Sequence, residues 1–371
     1  MFKRIFSTLV FILIASNVQL ALAALPKNFT QIYFFGDSLS DMGNYRGADP
    51  DVNTHVDYPD DGEGQTAPVT NWIDNPNNTY TPTETWAEFL AQKYHIQQGS
   101  VVYSLNAIPS RLGGNDWAVS GNTTLQTYSQ VQDFEKRLTT NNQYPDPDKT
   151  LYVVWTGPND LLALANYADP AKVAPIVVRN GMENIYSTIE TLHNDPHSKA
   201  KYILMLGMPD ISLTPLFSNP NHIESEYKNK DAFHEVCTDW NELLFSQTDP
   251  YSLPINPPVY ELKEHYPDLQ IYTYDVNPIL KSLIADPAKY GFQSSFDLPS
   301  GSEAVCDSDS CKNNQLEWYF ARYYPIYGKT FDDPNKFIFY NAIHPTTHTH
   351  EILADNVYKD AALFSLQGKK A

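Results

Sequence analysis

Gln31-Ile32-Tyr33-Phe34-Phe35-Gly36-Asp37-Ser38-Leu39-Ser40-Asp41 is an apolar run that breaks, at a single glycine, into a polar turn carrying a serine. A short apolar run bounded by a turn suits a strand buried on both faces. A strand that ends by presenting a hydroxyl suits nucleophilic catalysis: the sheet holds Ser38 while the turn leaves its Oγ accessible. In isolation the turn would read as a helix N-cap, where Asp and Ser bond orphan N–H groups. Three further segments downstream, in order, turn the reading towards chemistry.

Working outward, Leu151–Thr156, Lys201–Leu206 and Ile271–Asp275 are similar apolar, β-branched or aromatic runs. Helical patterns alternate with them, over Thr85–Tyr94, Leu125–Leu138, Val173–Leu192, Glu224–Phe245 and Thr346–Phe364. Strands alternating with helices predict an α/β fold with a parallel sheet covered on both faces. Ligands of such sheets bind at the carboxyl ends of the strands. Ser38 and Gly157-Pro158-Asn159-Asp160 both fall at such ends. Asp49–Pro82 and Asp286–Asn335 read as loops or insertions, the second holding an aromatic cluster around Trp318, and no internal repeat is visible.

The first residues read as an export signal. Lys3 and Arg4 precede the apolar run Ile5–Ala15, and Ala21-Leu22-Ala23 is a small-x-small cleavage site. The expected organisation is therefore a signal peptide over 1–23 and one catalytic domain over 24–371, with an insertion at about 286–335. A secreted or periplasmic location follows. Hydrophobic residues make up 42% of the chain, enough for a substantial core, and the net charge is −19. Phosphate backbones repel such a chain, which argues against nucleic acid as a partner. Tight electrostatic adsorption to anionic lipid is disfavoured for the same reason. The 25 tyrosines and 18 phenylalanines suit an amphipathic ligand, though aromatic residues equally build cores.

Of three cysteines, Cys306 and Cys311 bracket four residues and can form a disulfide in an exported chain. Cys237 falls in a helical pattern and reads as a buried thiol. No metal is expected: His344, His348 and His350 form no HExxH motif, and two of them start a helix. Asp49-Pro50-Asp51-Val52-Asn53 begins like a calcium loop but lacks its turn glycine. Asn77-Asn78-Thr79 and Asn122-Thr123-Thr124 fit glycosylation acceptors. No cofactor is called for.

The second chemical segment is Gly113-Gly114-Asn115-Asp116-Trp117-Ala118-Val119-Ser120-Gly121, whose glycines let backbone N–H groups approach a ligand. In the third, Gly157-Pro158-Asn159-Asp160, the Asn159 amide could donate to a developing oxyanion. The fourth, Phe339-Tyr340-Asn341-Ala342-Ile343-His344-Pro345-Thr346, places an imidazole before a helix, where it suits a general base. In this order the four segments resemble the blocks of the GDSL, or SGNH, family of lipases and esterases. Trp86-Ala87-Glu88-Phe89-Leu90-Ala91 also looks like that family's helix after the first loop. The resemblance implies a flavodoxin-like three-layer sandwich. It also implies Ser38 as nucleophile, His344 as base, and an oxyanion hole made by the Ser38 and Gly114 N–H groups with Asn159.

Two positions depart from the pattern: Asp116 stands in the second block in place of the family's usual Asn, and the second departure bears on the chemistry. The acid of the triad is expected three residues before His344, where this chain has Asn341. An amide can orient an imidazole but cannot neutralise the imidazolium; in a well-studied serine protease the corresponding change lowers turnover by roughly 10⁴. Asp332, Asp333 and Asp160 are the substitute carboxylates the sequence offers. A bound anion, or Asn341 itself as a weak orienter, are the other solutions. Gly36–Asp41 continuing into Met42-Gly43-Asn44, with the Phe339–Thr346 ending, looks most like secreted bacterial phospholipases and glycerophospholipid:cholesterol acyltransferases. That likeness implies a phospholipid or lysophospholipid substrate, transient contact with a membrane surface, and acyl transfer to an acceptor such as cholesterol. A carbohydrate or short-chain esterase, and a weakened or inactive lipid-binding relative, are the alternatives.

Overall fold

The computed structural model describes residues 29–41, 85–96, 115–142, 144–166, 169–218, 230–245, 251, 259–293, 334–339 and 343–367. Four strands, β1 (Gln31–Gly36), β2 (Thr150–Trp155), β3 (Tyr202–Leu206) and β4 (Gln270–Tyr274), form one parallel sheet in the order β1-β2-β3-β4. Each lies within one residue of its expected run. The register pairs Gly36 with Trp155 and Leu206 with Tyr274, so the carboxyl ends line one rim.

Between the strands run α1 (Trp86–Lys93), α2 (Thr124–Asn141), α3 (Pro158–Leu162), α4 (Pro170–Asn194), α5 (Pro215–Ser218), α6 (Lys230–Phe245) and α7 (Leu262–His265). After β4 come α8 (Asn277–Ala285) and α9 (Thr347–Gln367). The five expected helices are present as α1, α2, α4, α6 and α9. The predicted Glu224–Phe245 helix is seen from Lys230 onward, residues 224–229 lying outside the described set. The short helices α3, α5, α7 and α8 were not expected.

Alternation along the strands explains the three layers. Phe35 of β1, Tyr152 of β2, and Ile203 and Met205 of β3 pack with α2, α4 and α6. Their neighbours Phe34, Leu151, Val153, Leu204 and Leu206 face α1 and α9. Period-two side chains on a sheet covered twice must be apolar on both sides, which is why the strand runs are continuous. Each fully buried large side chain contributes about 1.5–3 kcal/mol. The interhelical fit is close: a Cβ at Gly181 of α4 would lie 2.3 Å from the Trp240 ring of α6. On the other face α1 buries Trp86, Ala87, Leu90 and Ala91, a stripe at helical spacing. Thr85 N–H donates to Glu88 Oε2 at its start (2.6 Å), and Lys93 pairs with Asp355 of α9.

The segment Asn115–Val119 lies along the outer edge of β1. Phe34 N–H donates to Asn115 O (2.9 Å), Trp117 N–H to Phe34 O (2.7 Å) and Val119 N–H to Gly36 O (3.1 Å). The two ends of the expected insertion also meet: Gln293 N–H donates to Lys336 O at 2.7 Å, and Phe292 packs against Ile338 and Phe339. Its interior, with Cys306 and Cys311, lies outside the described residues. So do the signal peptide, the loop at 49–82, Gly113, Gly114, Asn341, Asp332 and Asp333. Cys237 is a free, buried thiol in α6, as expected.

Candidate active site

Ser38 follows the last residue of β1 after one intervening aspartate, and His344 precedes α9. Their separation of 306 positions closes to 2.8 Å between Ser38 Oγ and His344 Nε2. Both are buried, at 8% and 6% exposure.

Gly36 makes the turn out of the sheet. Its φ of +153° and its contact with β2 exclude a side chain, since a Cβ would stand 2.0 Å from Trp155 O. The Gln130 amide of α2 then replaces a strand partner: Gly36 N–H donates to Gln130 Oε1 (3.0 Å), and Gln130 Nε2 donates to Gly36 O (2.8 Å). Beyond Ser38, Asp41 accepts from Ser120 N–H (2.7 Å) and Ser120 Oγ (2.9 Å). The first and second sequence blocks are thereby bolted together. Trp86 Nε1 donates to Ser40 Oγ (3.0 Å), tying the same turn to α1.

His344 is held from the α9 side. Thr346 Oγ1 donates to Phe337 O (2.7 Å), Thr349 Oγ1 to Ile338 O (2.7 Å), and Thr346 N–H to Ile338 O (3.0 Å). These bonds clamp the loop that carries the imidazole. Burial pulls the His344 ring down to about 4, so it is neutral at pH 7, the form that accepts a proton. Burial also raises Asp37, next to Ser38, to about 7, against the Leu39 N–H bond and with help from Asp160 and Asp41.

Asn159 lines the same cavity, and its Nδ2 donates to Asn122 O at 2.9 Å. A side-chain amide has two N–H groups. One fixes Asn159 to the Asn122 carbonyl, and the amide keeps a second N–H. Asp160, one of the sequence's substitute acids, is committed elsewhere: its oxygens accept from Thr124 N–H (2.9 Å) and Thr124 Oγ1 (2.7 Å) at the start of α2. A carboxylate there complements the helix dipole. As a partner for His344 it is set aside on this geometry. The other two imidazoles of the histidine cluster stand apart from the Ser38–His344 contact. His348 lies 2.9 Å from Tyr290 O through Nε2, and His350 is wholly buried.

The cavity beside Ser38 has a volume of about 90 Å³. Apart from Asp37, Ser38, Asn159 and His344, its walls are mostly apolar. Ile279, Leu280 and Leu283 of α8 form one side, and Ile211, Phe339 and Leu353 close others. Three contributors escaped the sequence reading: Gln130, the Asn122 carbonyl and helix α8. Only α8 left a trace in the sequence. Asn277-Pro278 puts proline in a first helical turn, a weak start signal that nine residues alone do not carry.

His350 gives this core a pH signature. Neither ring nitrogen has a hydrogen-bond partner, and burial, then the nearby His344, pull its pKa down to about 3. A lowered histidine pKa contributes stability present above the unfolded value of about 6.5 and lost as pH falls through the folded value. His344 acts in the same sense. Asp37, raised to about 7, acts oppositely: its stabilisation is present below about 4 and lost as pH rises through 7. The two effects oppose each other between about pH 4 and 6.5, and below that only the histidine loss remains. His350→Leu should therefore be at least as stable as the parent at pH 7 and lose less stability between pH 5 and 3. Thermal midpoints across that range measure it; parallel profiles would refute the assignment.

A hydroxyl touching a neutral imidazole, at the carboxyl rim of a parallel sheet and beside an apolar cavity, defines a serine-hydrolase type of site on a three-layer α/β sandwich. The chain belongs to the GDSL-like lipase/acylhydrolase family, whose pattern matches residues 32–357. It is 24% identical over 388 residues to esterase EstA of Pseudomonas aeruginosa, covering 96% of this chain and 51% of that protein. It is 24% identical over 375 residues to a GDSL esterase/lipase of Arabidopsis thaliana, covering 93% and 90%. Lipase 1 of Photorhabdus luminescens is 21% identical over 392 residues, covering 93% and 52%. The chain thus spans about half the length of these bacterial relatives.

Proposed function

We propose that this protein is an exported lipolytic esterase that cleaves acyl esters of phospholipids or lysophospholipids through an acyl-enzyme on Ser38. The observation that carries the reading is the 2.8 Å contact between Ser38 Oγ and His344 Nε2 beside the apolar cavity. The names of the esterase and lipase relatives support it.

In this mechanism Ser38 Oγ attacks the ester carbonyl while its proton passes to His344 Nε2. The carbonyl oxygen becomes an oxyanion, received by the Ser38 N–H, the Gly114 N–H and the Asn159 amide. Donors of this kind contribute about 3 kcal/mol each to transition-state stabilisation. Collapse breaks the bond to the alcohol, which leaves with the proton held by His344. Water then attacks the acyl-enzyme, again giving its proton to His344, and Ser38 regains the proton as the fatty acid departs. An alcohol such as cholesterol in place of water would yield a new ester, because both compete for one intermediate. Apolar walls from α8 suit the acyl chain rather than a sugar. Because burial disfavours the imidazolium, its partner matters: a carboxylate such as Asp332 or Asp333 in place of Asn341 would supply the charge, whereas Asn341 itself would leave turnover below that of a full triad.

The test is a substrate panel: phosphatidylcholine, lysophosphatidylcholine, p-nitrophenyl esters from acetyl to palmitoyl, and acetylated xylan, each with and without cholesterol. Fatty acid release from the two phospholipids, well above acetyl release from xylan, is expected. Preference for acetylated xylan would replace the lipid reading with the carbohydrate one. Hydrolysis without any cholesteryl ester would remove the transfer branch.

A further inference from the structure

On the rim opposite Ser38, where β3 begins, Glu135 of α2 meets Asp195 and His197 of the turn after α4. Ligating atoms of the three residues all lie within 4.8 Å of one another. Glu135 is 6% exposed, and neither of its carboxylate oxygens makes a hydrogen bond of ordinary geometry; Ser198 and Asp195 are its polar neighbours, and no Lys or Arg pairs with it among the described residues. A buried carboxylate with neither a well-formed hydrogen bond nor a counter-charge is costly, and proteins ordinarily pair such groups or set them on metals. Its neighbours are prearranged. Asp195 Oδ1 accepts from His197 N–H (2.8 Å) and lies 2.7 Å from His197 Nδ1. The His197 ring stacks on Tyr144 with centroids 5.4 Å apart, and Thr139 Oγ1 stands 3.4 Å from Nδ1.

We propose that Glu135, Asp195 and His197 form a binding site for a divalent cation of the zinc class, separate from the Ser38–His344 pair. Two carboxylates and an imidazole make a mixed oxygen–nitrogen set. Zinc accepts such a set with three protein ligands and water in the fourth position. Calcium and magnesium favour all-oxygen surroundings, so the imidazole selects against them. The Asp195 and His197 side chains are 24% and 26% exposed, which gives the ion a way in from solvent. On binding, the ion would take the place of the hydrogen between His197 Nδ1 and Asp195 Oδ1. Tyr144 and Thr139 would keep the ring oriented, as outer contacts do at metal sites. No motif announces the site, because Glu135 lies on a different helix, far back in the chain.

The rival occupant is a proton. Burial, opposed by Ser198 and reinforced by Asp195, pushes the Glu135 carboxyl up to about 8, so a protonated Glu135 beside Asp195 is the alternative arrangement. Titration calorimetry on the full chain, stripped with chelator and then given zinc chloride, separates the two. One equivalent of zinc should bind saturably and raise the thermal midpoint, with magnesium and calcium failing to compete. Glu135→Gln and the part-exposed His197→Gln should each weaken zinc binding at least about tenfold. The proposal is overturned if the parent shows no saturable zinc binding, or if both folded variants bind as tightly as it does. A Glu135→Gln variant that is stabilised, in a parent indifferent to zinc, would establish the proton instead.

Discussion

Ser38→Ala should lower ester hydrolysis by at least about 10⁴-fold while leaving the fold intact. Loss of a nucleophile in a comparable site costs roughly 10⁶ in turnover, and the residue of activity comes from binding and oxyanion donors. The structure gives the alanine variant no reason to unfold. Ser38 is buried with its Oγ turned to His344, and the turn around it is held by Asp41, Ser120 and Trp86 rather than by the hydroxyl. Turnover of a p-nitrophenyl ester, with the thermal midpoint as control, measures the effect. A fluorophosphonate should label the parent on Ser38 and spare the variant. If the variant keeps more than a few per cent of activity at an unchanged midpoint, Ser38 is not the nucleophile. If the parent neither reacts nor turns over any ester, the chain is a binding relative that has lost its chemistry.

Gly36→Ala is the second large effect, and it falls on stability. The added methyl would sit 2.0 Å from the Trp155 carbonyl oxygen and 3.0 Å from its carbon, both backbone atoms of the neighbouring strand. Neither can give way without parting β1 from β2 at their last paired position. The φ of +153° is also one that alanine rarely adopts. Overpacking of this kind costs about 3 kcal/mol or more, and the strain adds to it. Soluble yield should collapse, or the midpoint fall by several degrees, with Ser38 displaced from His344 in whatever folds. A variant matching the parent in both would show that β1 and β2 are not joined as described.

The sheet was legible because burial on both faces leaves little choice of residue: Ile32 to Phe35, Leu151 to Trp155 and Ile203 to Leu206 are nearly unbroken apolar runs. The long helices were legible from their stripes. Helix α8 was not, since nine residues beginning Asn-Pro read as a turn until something packs against Ile279, Leu280 and Leu283. In the site, Ser38 and His344 were legible because chemistry restricts what can stand there. Gln130 and Asn122 were not. A side-chain amide standing in for a strand, or a backbone carbonyl orienting Asn159, leaves no periodicity and no motif. Asp160 misled for a related reason: a carboxylate suited to a histidine suits a helix terminus equally well, and only the fold says which it meets.

The segment laid against β1 has a consequence for solubility. A terminal strand with open amides and carbonyls is a template on which another chain can add itself, and long apolar ones seed aggregates. Here the Phe34 amide, the Phe34 carbonyl and the Gly36 carbonyl are already taken by Asn115, Trp117 and Val119. The stretch that brings the second sequence block to the nucleophile thus also caps the sheet, and weakening it would favour self-association together with the loss of chemistry.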